Sequence, residues 1–327
     1  MKKKFILIAQ IILLTLPLYA SELRHRSLPK NAQQTDTFIW EKNDLIPFDE
    51  LIISWDAQRP SKGYYLIQVS LFTKEWSSWL NYAFWGVHDQ HTFKDQSSYP
   101  VKTGLAAASV ADNHKATGFK IKITAHDGAS LKQFRTVHAS TADITNHLVN
   151  GPSKEPLYIN LEVPGISQMA LPTEINKRIC SPTSTTAVIR FLKQSSALDP
   201  LTFAPQVFDT TFNIYGNWIF NTAQAIHELG APWHCCVARL NSFNNLLDQL
   251  KKGYPIVVSV KGPLPGSAEP YESGHLLVVK GYDSQAQQVL CMDPAFQTDE
   301  LTNAKYNLED FLTAWRRRFG LAYIFYQ

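Results

Sequence analysis

The sequence predicts an α+β protein in which a β-sandwich-like domain precedes a second domain that mixes helices with strands. The first observation is a series of short apolar runs separated by turn residues between positions 37 and 140, a pattern typical of two packed antiparallel sheets. The second is the helical spacing of apolar residues that alternates with strand-like runs over 156–327. The third is the segment 141–155, whose Asn, Gly, Pro and Ser residues predict a linker.

The composition indicates a globular chain and gives no sign of a nucleic-acid partner. The 327 residues are 45% hydrophobic and 12% aromatic, which is enough to fill the cores of two domains. The formal net charge of +3 includes three lysines at positions 2–4, so the rest of the chain is close to neutral. A nucleic-acid-binding surface normally requires a concentrated basic patch.

The first 20 residues, MKKKFILIAQIILLTLPLYA, predict a cleavable secretory signal peptide. Lysines precede an apolar run from Phe5 to about Leu16, then a break at Pro17 and a small residue, Ala20. The run is short for a membrane span, which takes about 20 residues. No later stretch is apolar for that length, so we expect an exported protein, secreted or periplasmic, without an integral membrane segment after signal removal.

Residues 21–36 are polar, and we expect them to be irregular and mobile. The predicted strands of the first domain then follow in order as TFIW, ELIISWDA, YYLIQVSLF, WSSWLNYAFWG, GFKIKITA and FRTVHA. The aromatic residues of the fourth strand favour a core role, although exposed aromatics can also stack on sugars or peptides. These residues are Trp76, Trp79, Tyr82, Phe84 and Trp85.

The second domain is predicted to contain several helices around buried strands. In order, the sequence predicts a helix from Cys180, a loop with a short helical piece over 198–212, helices over 215–230 and 242–251, strands over 255–260, 275–283 and 289–293, and a final helix and strand, LEDFLTAWRRRF and LAYIFY. A loop rich in Pro and Gly, GPLPGSAEPYESG, leads to His275 and is a candidate lid.

Cys180 stands where a turn gives way to a helix, in the stretch KRICSPTSTTAVIRFL. The unpaired N–H groups at a helix N-terminus favour a thiolate, and Lys177 and Arg178 add positive charge. Pro182 suits the first helical turn. The position is suited to a nucleophile, although a free cysteine is also a common inert core residue.

Two later segments supply partners for such a thiol. In SGHLLVVKGYD, His275 opens an apolar strand, and in VLCMDPAF, Asp293 closes one before a proline. If these strands pair antiparallel, His275 and Asp293 lie side by side. A cysteine, a histidine base and a carboxylate that orients the base form the site of a papain-type hydrolase. Each residue alone has an ordinary structural alternative, a buried histidine or a turn aspartate.

Gln168, CSPTST, GHLLVVKGYD and MDP together resemble the peptidase C-thirty-nine-like family, relatives of the bacteriocin-processing cysteine peptidases in the papain-like superfamily. The resemblance covers roughly residues 157–327. It implies a papain-like fold in which Cys180 is the nucleophile, His275 the base, Asp293 its orienting group and Gln168 an oxyanion donor. The family usually has glycine after the nucleophile, whereas this chain has Ser181, a side chain that we expect to crowd the scissile carbonyl or to narrow the substrate range.

The same resemblance implies that Trp218 and Asn221 line the substrate cleft, within the stretch YGNWIFN. The alternative is that Trp218 packs in the core and Asn221 caps a turn. Both interpretations remain open at the level of the sequence.

No cofactor is implied by this chemistry, and no metal site is predicted. His227, His234, Cys235 and Cys236 lie close in sequence, but their spacing matches no common zinc pattern. In an oxidising compartment we expect at most one disulfide, drawn from Cys235, Cys236 and Cys291, with Cys180 free.

The compact basic run Arg316, Arg317 and Arg318 favours a solvated helix face over an anion site.

The sequence therefore predicts a secreted cysteine hydrolase that cleaves peptide or amide bonds in peptide or protein substrates, with cell-wall peptides among the candidates. A noncatalytic peptide- or glycan-binding protein on the same fold is the alternative, and acyl transfer to an amine would use the same site. The sequence leaves the natural substrate and the oligomeric state undecided.

Overall fold

The structure is a computed structural model that describes residues 21–30 and 35–327. The predicted signal peptide, residues 1–20, lies outside these residues. Strands make up 39% of the chain and helices 21%, which confirms the mixed α and β class. No helix in the described part of the chain is long and apolar enough to cross a membrane.

Residues 21–142 form two antiparallel sheets over the described ranges. Their strands are β1 (Ser21–Ser27), β2 (Thr37–Lys42), β3 (Glu50–Ala57), β4 (Tyr64–Phe72), β5 (Leu80–Gly86), β6 (Gln90–Thr92), β7 (Gln96–Ser98), β8 (Val101–Thr103), β9 (Ala108–Val110), β10 (Gly118–His126) and β11 (Phe134–Ala142). One sheet has the order β1-β11-β3-β9-β8-β7 and the other β2-β10-β4-β5-β6.

The expectation of irregular chain over residues 21–36 is wrong for β1. This strand pairs antiparallel with β11 over seven register pairs from Ser21–Ala142 to Ser27–Thr136. Its side chains are largely exposed, so no alternation of apolar residues marks it in the sequence. Backbone pairing to a neighbouring strand, rather than burial of side chains, therefore accounts for β1.

The two sheets contact each other through aromatic side chains. The Trp55 ring of β3 lies 5.7 Å from the Trp85 ring of β5, and the Tyr82 hydroxyl donates to the Ala106 carbonyl at 2.6 Å. Trp76 and Trp79 are instead partly exposed, each with a lysine ammonium over its ring. The predicted aromatic group is thus divided between core and surface, and the β-sandwich-like domain stays a prediction.

Residues 156–327 form one antiparallel sheet with helices on both faces. The elements are β12 (Tyr158–Asn160), α1 (Cys180–Lys193), α2 (Pro200–Phe203), α3 (Trp218–Leu229), β13 (His234–Arg239), α4 (Phe243–Lys251), β14 (Ile256–Gly262), β15 (Tyr271–Asp283), β16 (Gln288–Met292), β17 (Asn303–Asn307), α5 (Leu308–Arg316) and β18 (Leu321–Tyr326). The strand order is β13-β18-β14-β15-β16-β17, with β12 beside β15.

Strand alternation divides this sheet into two packed faces. Val257 of β14 and Val278 of β15 belong to a core cluster with α1 and α3, whereas Val258 and Val279 belong to another with α4 and α5. A strand covered on both faces is apolar at consecutive positions, which explains the run PIVVSV. The sheet is therefore a rigid central layer whose ends carry the loops.

The two parts of the chain share a core. The cluster that contains Trp55 and Trp85 of the N-terminal sheets also contains residues of α1, α3 and β13, and the Trp55 ring lies 6.3 Å from that of Phe220 in α3. The predicted linker is held at Asn150, whose N–H donates to the Asn241 carbonyl at 2.9 Å. The division into separately folding domains stays a prediction.

We expect Trp55→Ala to lower the free energy of unfolding by about 3–5 kcal/mol, the usual cost of emptying a buried tryptophan site. Because Trp55 contacts both parts of the chain, denaturant unfolding should remain a single shifted transition. Trp79→Ala, at a residue 37% exposed, is the matched control and should cost less than about 1 kcal/mol. Two transitions, of which only one shifts, would instead establish two independent domains.

Candidate active site

Cys180 is the first residue of α1, as the sequence predicts. The preceding residue, Ile179, makes no side-chain capping hydrogen bond, so the first N–H groups of the helix have no side-chain cap beside the thiol. The Ser184 hydroxyl donates to the Leu276 carbonyl at 3.0 Å, which fixes the start of α1 against β15. The thiol is therefore held on a rigid element next to His275.

His275 and Asp293 are brought together by the antiparallel pairing of β15 with β16. Val278 lies opposite Met292 in this register, and Asp293 is the next residue after β16. His275 Nε2 lies 2.8 Å from Asp293 Oδ1, with both side chains buried. The juxtaposition that the sequence predicts for these two residues is present.

The Asp293 carboxylate accepts three further hydrogen bonds. The Tyr271 hydroxyl donates to Oδ2 at 2.7 Å and the Tyr306 hydroxyl donates to Oδ2 at 2.6 Å. The Ala295 N–H donates to Oδ1 at 3.0 Å. A buried carboxylate with this many donors is held in its ionised form.

Sequence reasoning missed both tyrosines. Tyr271 lies four positions before His275 in β15, and the pairing of β15 with β14 shifts register between these two residues. Because residues four apart in a regular strand are about 13 Å apart, the ring contact depends on this irregularity, which the sequence does not reveal. Tyr306 reaches Asp293 from β17, which depends on the pairing of Leu290 with Lys305 and Cys291 with Ala304. That register is not visible in the sequence.

Tyr271 also packs on the imidazole of His275. The two rings are stacked, with centroids 4.0 Å apart and planes 18° apart. Since His275 Nε2 is bound to Asp293, Nδ1 is the nitrogen left for the hydrogen bond between His275 and Cys180. The ring is thus fixed on one face and at both nitrogens.

These contacts shift the pKa values of the three groups together. Burial raises the pKa of the Cys180 thiol, but the hydrogen bond and charge of His275 outweigh it and leave the pKa below its ordinary value. Burial lowers the pKa of His275, whereas Asp293 and Cys180 raise it, to about 10 overall. The pKa of Asp293 is lowered, since the His275 charge and its hydrogen-bond donors outweigh burial. A thiolate–imidazolium pair is therefore the favoured state at neutral pH.

Gln168 lies in a loop that is tied to the segment following Asp293. Its N–H donates to the Pro294 carbonyl at 2.9 Å, and the Ser167 N–H donates to Asp299 Oδ1 at 2.7 Å. The Gln168 side chain is buried, and its Oε1 has no hydrogen-bond partner among the described residues. This unpaired atom is an acceptor, whereas an oxyanion is bound by the Nε2 donors, so the oxyanion role of Gln168 stays a prediction.

Ser181 points away from the space in front of the thiol. Its hydroxyl lies 2.9 Å from the Tyr323 hydroxyl of β18, and the residue is fully buried. This contact takes the side chain into the core between α1 and the sheet. This geometry therefore does not favour the expected crowding, in which the Ser181 side chain would contact a carbonyl bound at Cys180.

Trp218 and Asn221 occupy different environments. Trp218 is half-buried at the start of α3, with the guanidinium carbons of Arg239 and Arg318 lying 5.6 and 5.7 Å from its ring centroid. Asn221 is fully buried, and its Nδ2 donates to the carbonyls of Tyr215 and Asn217. The contacts of Asn221 are those of the structural alternative, whereas Trp218 is partly exposed and also packs against the core cluster. Their predicted role in substrate binding stays a prediction.

One group of described residues could hold a metal ion, and it lies away from Cys180. Asp56, His138 and His234 have ligand atoms within 4.8 Å of one another. The two imidazoles already bond to Asp56 Oδ2, at 2.8 Å from His138 Nε2 and 2.6 Å from His234 Nδ1. This cluster joins β3, β11 and β13 through these hydrogen bonds, whereas His138 Nδ1 is buried and has no hydrogen-bond partner among the described residues.

All four cysteines are free thiols. Burial raises the pKa of Cys235 and Cys291 well above the ordinary value, in contrast to Cys180. The thiol of Cys180 is the one that its surroundings activate.

The chain belongs to the Peptidase C39-like family, whose model matches residues 160–323. This family indicates a cysteine peptidase. A comparison with curated proteins finds no match. Among solved structures, the chain is similar to a Bacillus anthracis protein provisionally designated a C39-like peptidase, at 19% identity and a TM-score of 0.40, over 52% of this chain and 98% of that chain. The family match carries the assignment.

We expect Tyr306→Phe and Tyr271→Phe each to destabilise the protein by about 1–3 kcal/mol, because each leaves a buried carboxylate short of a donor. Urea denaturation at neutral pH measures the loss. Tyr158→Phe, at a residue 68% exposed, is the control and should change stability by less than about 0.5 kcal/mol. Equal stability of all three variants would show that the hydroxyls do not support Asp293.

Proposed function

We propose that this protein is an exported cysteine peptidase that hydrolyses peptide bonds through Cys180, His275 and Asp293. The observation that carries the proposal is a thiol at a helix start beside an imidazole whose Nε2 lies 2.8 Å from a buried carboxylate. The family match to residues 160–323 supports the same chemistry. No cofactor takes part in this proposal.

In the proposed reaction the Cys180 thiolate attacks the carbonyl carbon of the scissile bond, and the electron pair of the C=O bond moves to oxygen. As the tetrahedral intermediate collapses, His275 gives its proton to the leaving amine and a thioester remains. His275 then takes a proton from water, which attacks the thioester. Collapse of this second intermediate releases the carboxylic acid product and restores the thiolate–imidazolium pair.

The negative oxygen of each intermediate requires donors, for which we propose the backbone N–H of Cys180 and the side-chain amide of Gln168. Gln168 is buried, and its loop lies beside the segment that follows Asp293. The loop contacts to Pro294 and Asp299 fix the residue on the same segment as Asp293. One such donor is typically worth about 3–4 kcal/mol of transition-state stabilisation.

The proposal includes export, with residues 1–20 as the signal peptide and a secreted or periplasmic product. It also includes a β-sandwich-like domain over 37–140, a linker over 141–155 and a papain-like domain over 156–327. The family indicates peptide substrates, and cell-wall peptides are candidates in an exported protein. Trp218 is retained as a wall of the substrate cleft because it is partly exposed.

A noncatalytic peptide-binding role is the alternative, and acyl transfer would share the thioester. The replacement of the usual glycine by Ser181 favoured the binding role, but the hydroxyl contact with Tyr323 removes that support. An activated thiol has no purpose in a binding protein, so reactivity of Cys180 separates the two classes.

We expect Cys180 to react with iodoacetamide at pH 6, where an ordinary thiol with pKa near 8.5 is almost wholly protonated. The direction of each pH limb follows from the two pKa shifts. The thiolate forms as pH rises through the lowered pKa of Cys180, and the imidazolium loses its proton as pH passes the pKa of His275, about 10. Turnover should therefore be bell-shaped, with its alkaline limb near that value. Intact-mass measurement of alkylation rates against pH, with N-acetylcysteine as reference, gives the acid limb.

Two variants test the assignment of roles. His275→Ala removes the cation, so reactivity at pH 6 should disappear and turnover should collapse. Asp293→Ala should cost less, since it misorients the base without deleting it. Cys180 that reacts no faster than N-acetylcysteine at pH 6, with no change in His275→Ala, would refute the peptidase proposal.

We expect Gln168→Ala to lower turnover by about 10²–10³ with substrate binding and Cys180 alkylation unchanged, because the lost donor acts on the intermediate. Steady-state kinetics on a cleaved peptide measures the loss. Gln285→Ala, at an exposed glutamine, is the matched control and should leave turnover unchanged. A loss of less than about tenfold would rule out the oxyanion role.

A further inference from the structure

The three consecutive arginines at the end of α5 have different surroundings. Arg316 donates from Nε to the Val149 carbonyl at 2.9 Å, and Arg317 donates from Nη1 to the Lys261 carbonyl at 3.3 Å. Arg318 donates only from Nε, to the Ser259 hydroxyl at 3.0 Å. Among the described residues, its two terminal nitrogens have no hydrogen-bond partner and no carboxylate pairs with it. A half-buried guanidinium with open donors differs from the solvated face that the sequence predicts.

Arg318 lies at the same end of the sheet as Cys180 and His275. Ser259, which it contacts, is the register partner of Leu276, the residue after His275. A Cβ placed on Gly274, the residue before His275, would lie 3.6–3.7 Å from the Arg318 guanidinium. The cation therefore lies beside Gly274 and beside Ser259, the register partner of Leu276, and so close to the proposed general base.

Trp218 forms a second wall beside this cation. The Arg318 guanidinium carbon lies 5.7 Å from the Trp218 ring centroid, within the range of a cation–π contact. Trp218 begins α3 and is partly exposed. A ligand group that binds the Arg318 guanidinium would thus also contact the Trp218 ring.

The neighbouring Arg239 holds Arg318 in place without neutralising it. Arg239 donates to the two oxygens of Glu50 at 2.6 and 2.8 Å, so its own charge is matched. Its Nη1 donates to the Arg318 carbonyl at 2.7 Å. Burial, together with the charge of Arg239, lowers the pKa of Arg318, which indicates a cation whose surroundings favour an added anion.

We propose that Arg318, flanked by Trp218, binds a carboxylate of the peptide substrate and makes the enzyme selective for substrates that carry one close to the scissile bond. The inference rests on the proposed function. A guanidinium whose edge with Nη1 and Nη2 is free matches the planar geometry of a carboxylate. Glu50 on Arg239 is an example of that pairing, and the same Arg239 donates to the Arg318 carbonyl.

A peptide substrate can present a carboxylate from two sources, an acidic side chain or its C-terminus. An acidic side chain would make the enzyme an endopeptidase selective for Asp or Glu near the cleaved bond. A free α-carboxylate would restrict cleavage to bonds near the C-terminus of a peptide. The Arg318 site serves either, so the experiment has one arm for each.

The test uses the mature protein and a mixture of synthetic decapeptides in which each position in turn is Glu or its neutral analogue Gln. Each peptide is made with a free or an amidated C-terminus, and cleavage is followed by mass spectrometry. We expect kcat/KM to be about 10- to 100-fold higher for the matching carboxylate form, the range typical of a charged hydrogen bond. The position, or the terminus, at which the preference appears identifies the source.

Arg318→Gln should abolish the preference while peptides without the carboxylate keep their rate. Arg318→Lys, which retains the charge and loses the fork, should keep a reduced preference and serves if the first variant folds poorly. Arg316→Gln removes the same charge two residues earlier and should leave the preference intact. An undiminished carboxylate preference in both Arg318 variants would overturn the inference. So would a wild-type protein whose Cys180 is alkylated at pH 6 but which shows no carboxylate preference, or which cleaves no peptide that carries a carboxylate.

The alkylation rate of Cys180 at pH 6 separates failure of this inference from failure of the proposed function. A wild-type protein without acid-shifted reactivity would refute the peptidase proposal. Normal reactivity in wild type and in Arg318→Gln, with equal rates on Glu and Gln peptides, would refute only the carboxylate site.

Discussion

The buried carboxylate of Asp293 is the group on which the candidate site depends. An ionised carboxylate without partners is costly in a protein interior, and here His275, Tyr271, Tyr306 and the Ala295 N–H all donate to it. Because these donors hold the negative charge, the imidazole beside it stays protonated, and the imidazolium in turn favours the thiolate. The reactivity of a thiol on α1 is therefore set from the far side of β15, by tyrosines on two strands.

The sequence was sufficient to predict the placement of residues that lie in a clear local helix or strand pattern and also have a side chain suited to catalysis. Cys180 before Pro182 predicts a helix start, and paired strands predict that His275 meets Asp293; the structure has both. It was insufficient where the partner comes from a distant element. Tyr306 reaches Asp293 only through the register of β16 with β17, and the three-residue strands β6–β9 are too short to show a period. Arg316 to Arg318 are identical in type, and only their contacts distinguish them.

The N-terminal sheets take part in the arrangement of the candidate site. Glu50 of β3 binds Arg239 at the end of β13, and Arg239 holds the Arg318 carbonyl. Trp55, five residues further along β3, packs on Phe220 of α3. The first residue of that helix is Trp218. The position of the cation and of the aromatic wall beside His275 therefore depends on the β-rich half. A truncated C-terminal part would retain Cys180 and its partners but would lose the group that neutralises Arg239.

Ser181 shows how a departure from the family pattern can be absorbed by packing. Glycine after a nucleophile leaves space, and a side chain at that position must find another direction. Here the second residue of α1 lies over the sheet, where the Tyr323 hydroxyl provides a partner at 2.9 Å. Since both hydroxyls are buried, each would be left without a partner if the other were lost, at a cost of about 1–3 kcal/mol. Ser181 and Tyr323 thus form one unit in the core between α1 and the sheet, beneath the thiol.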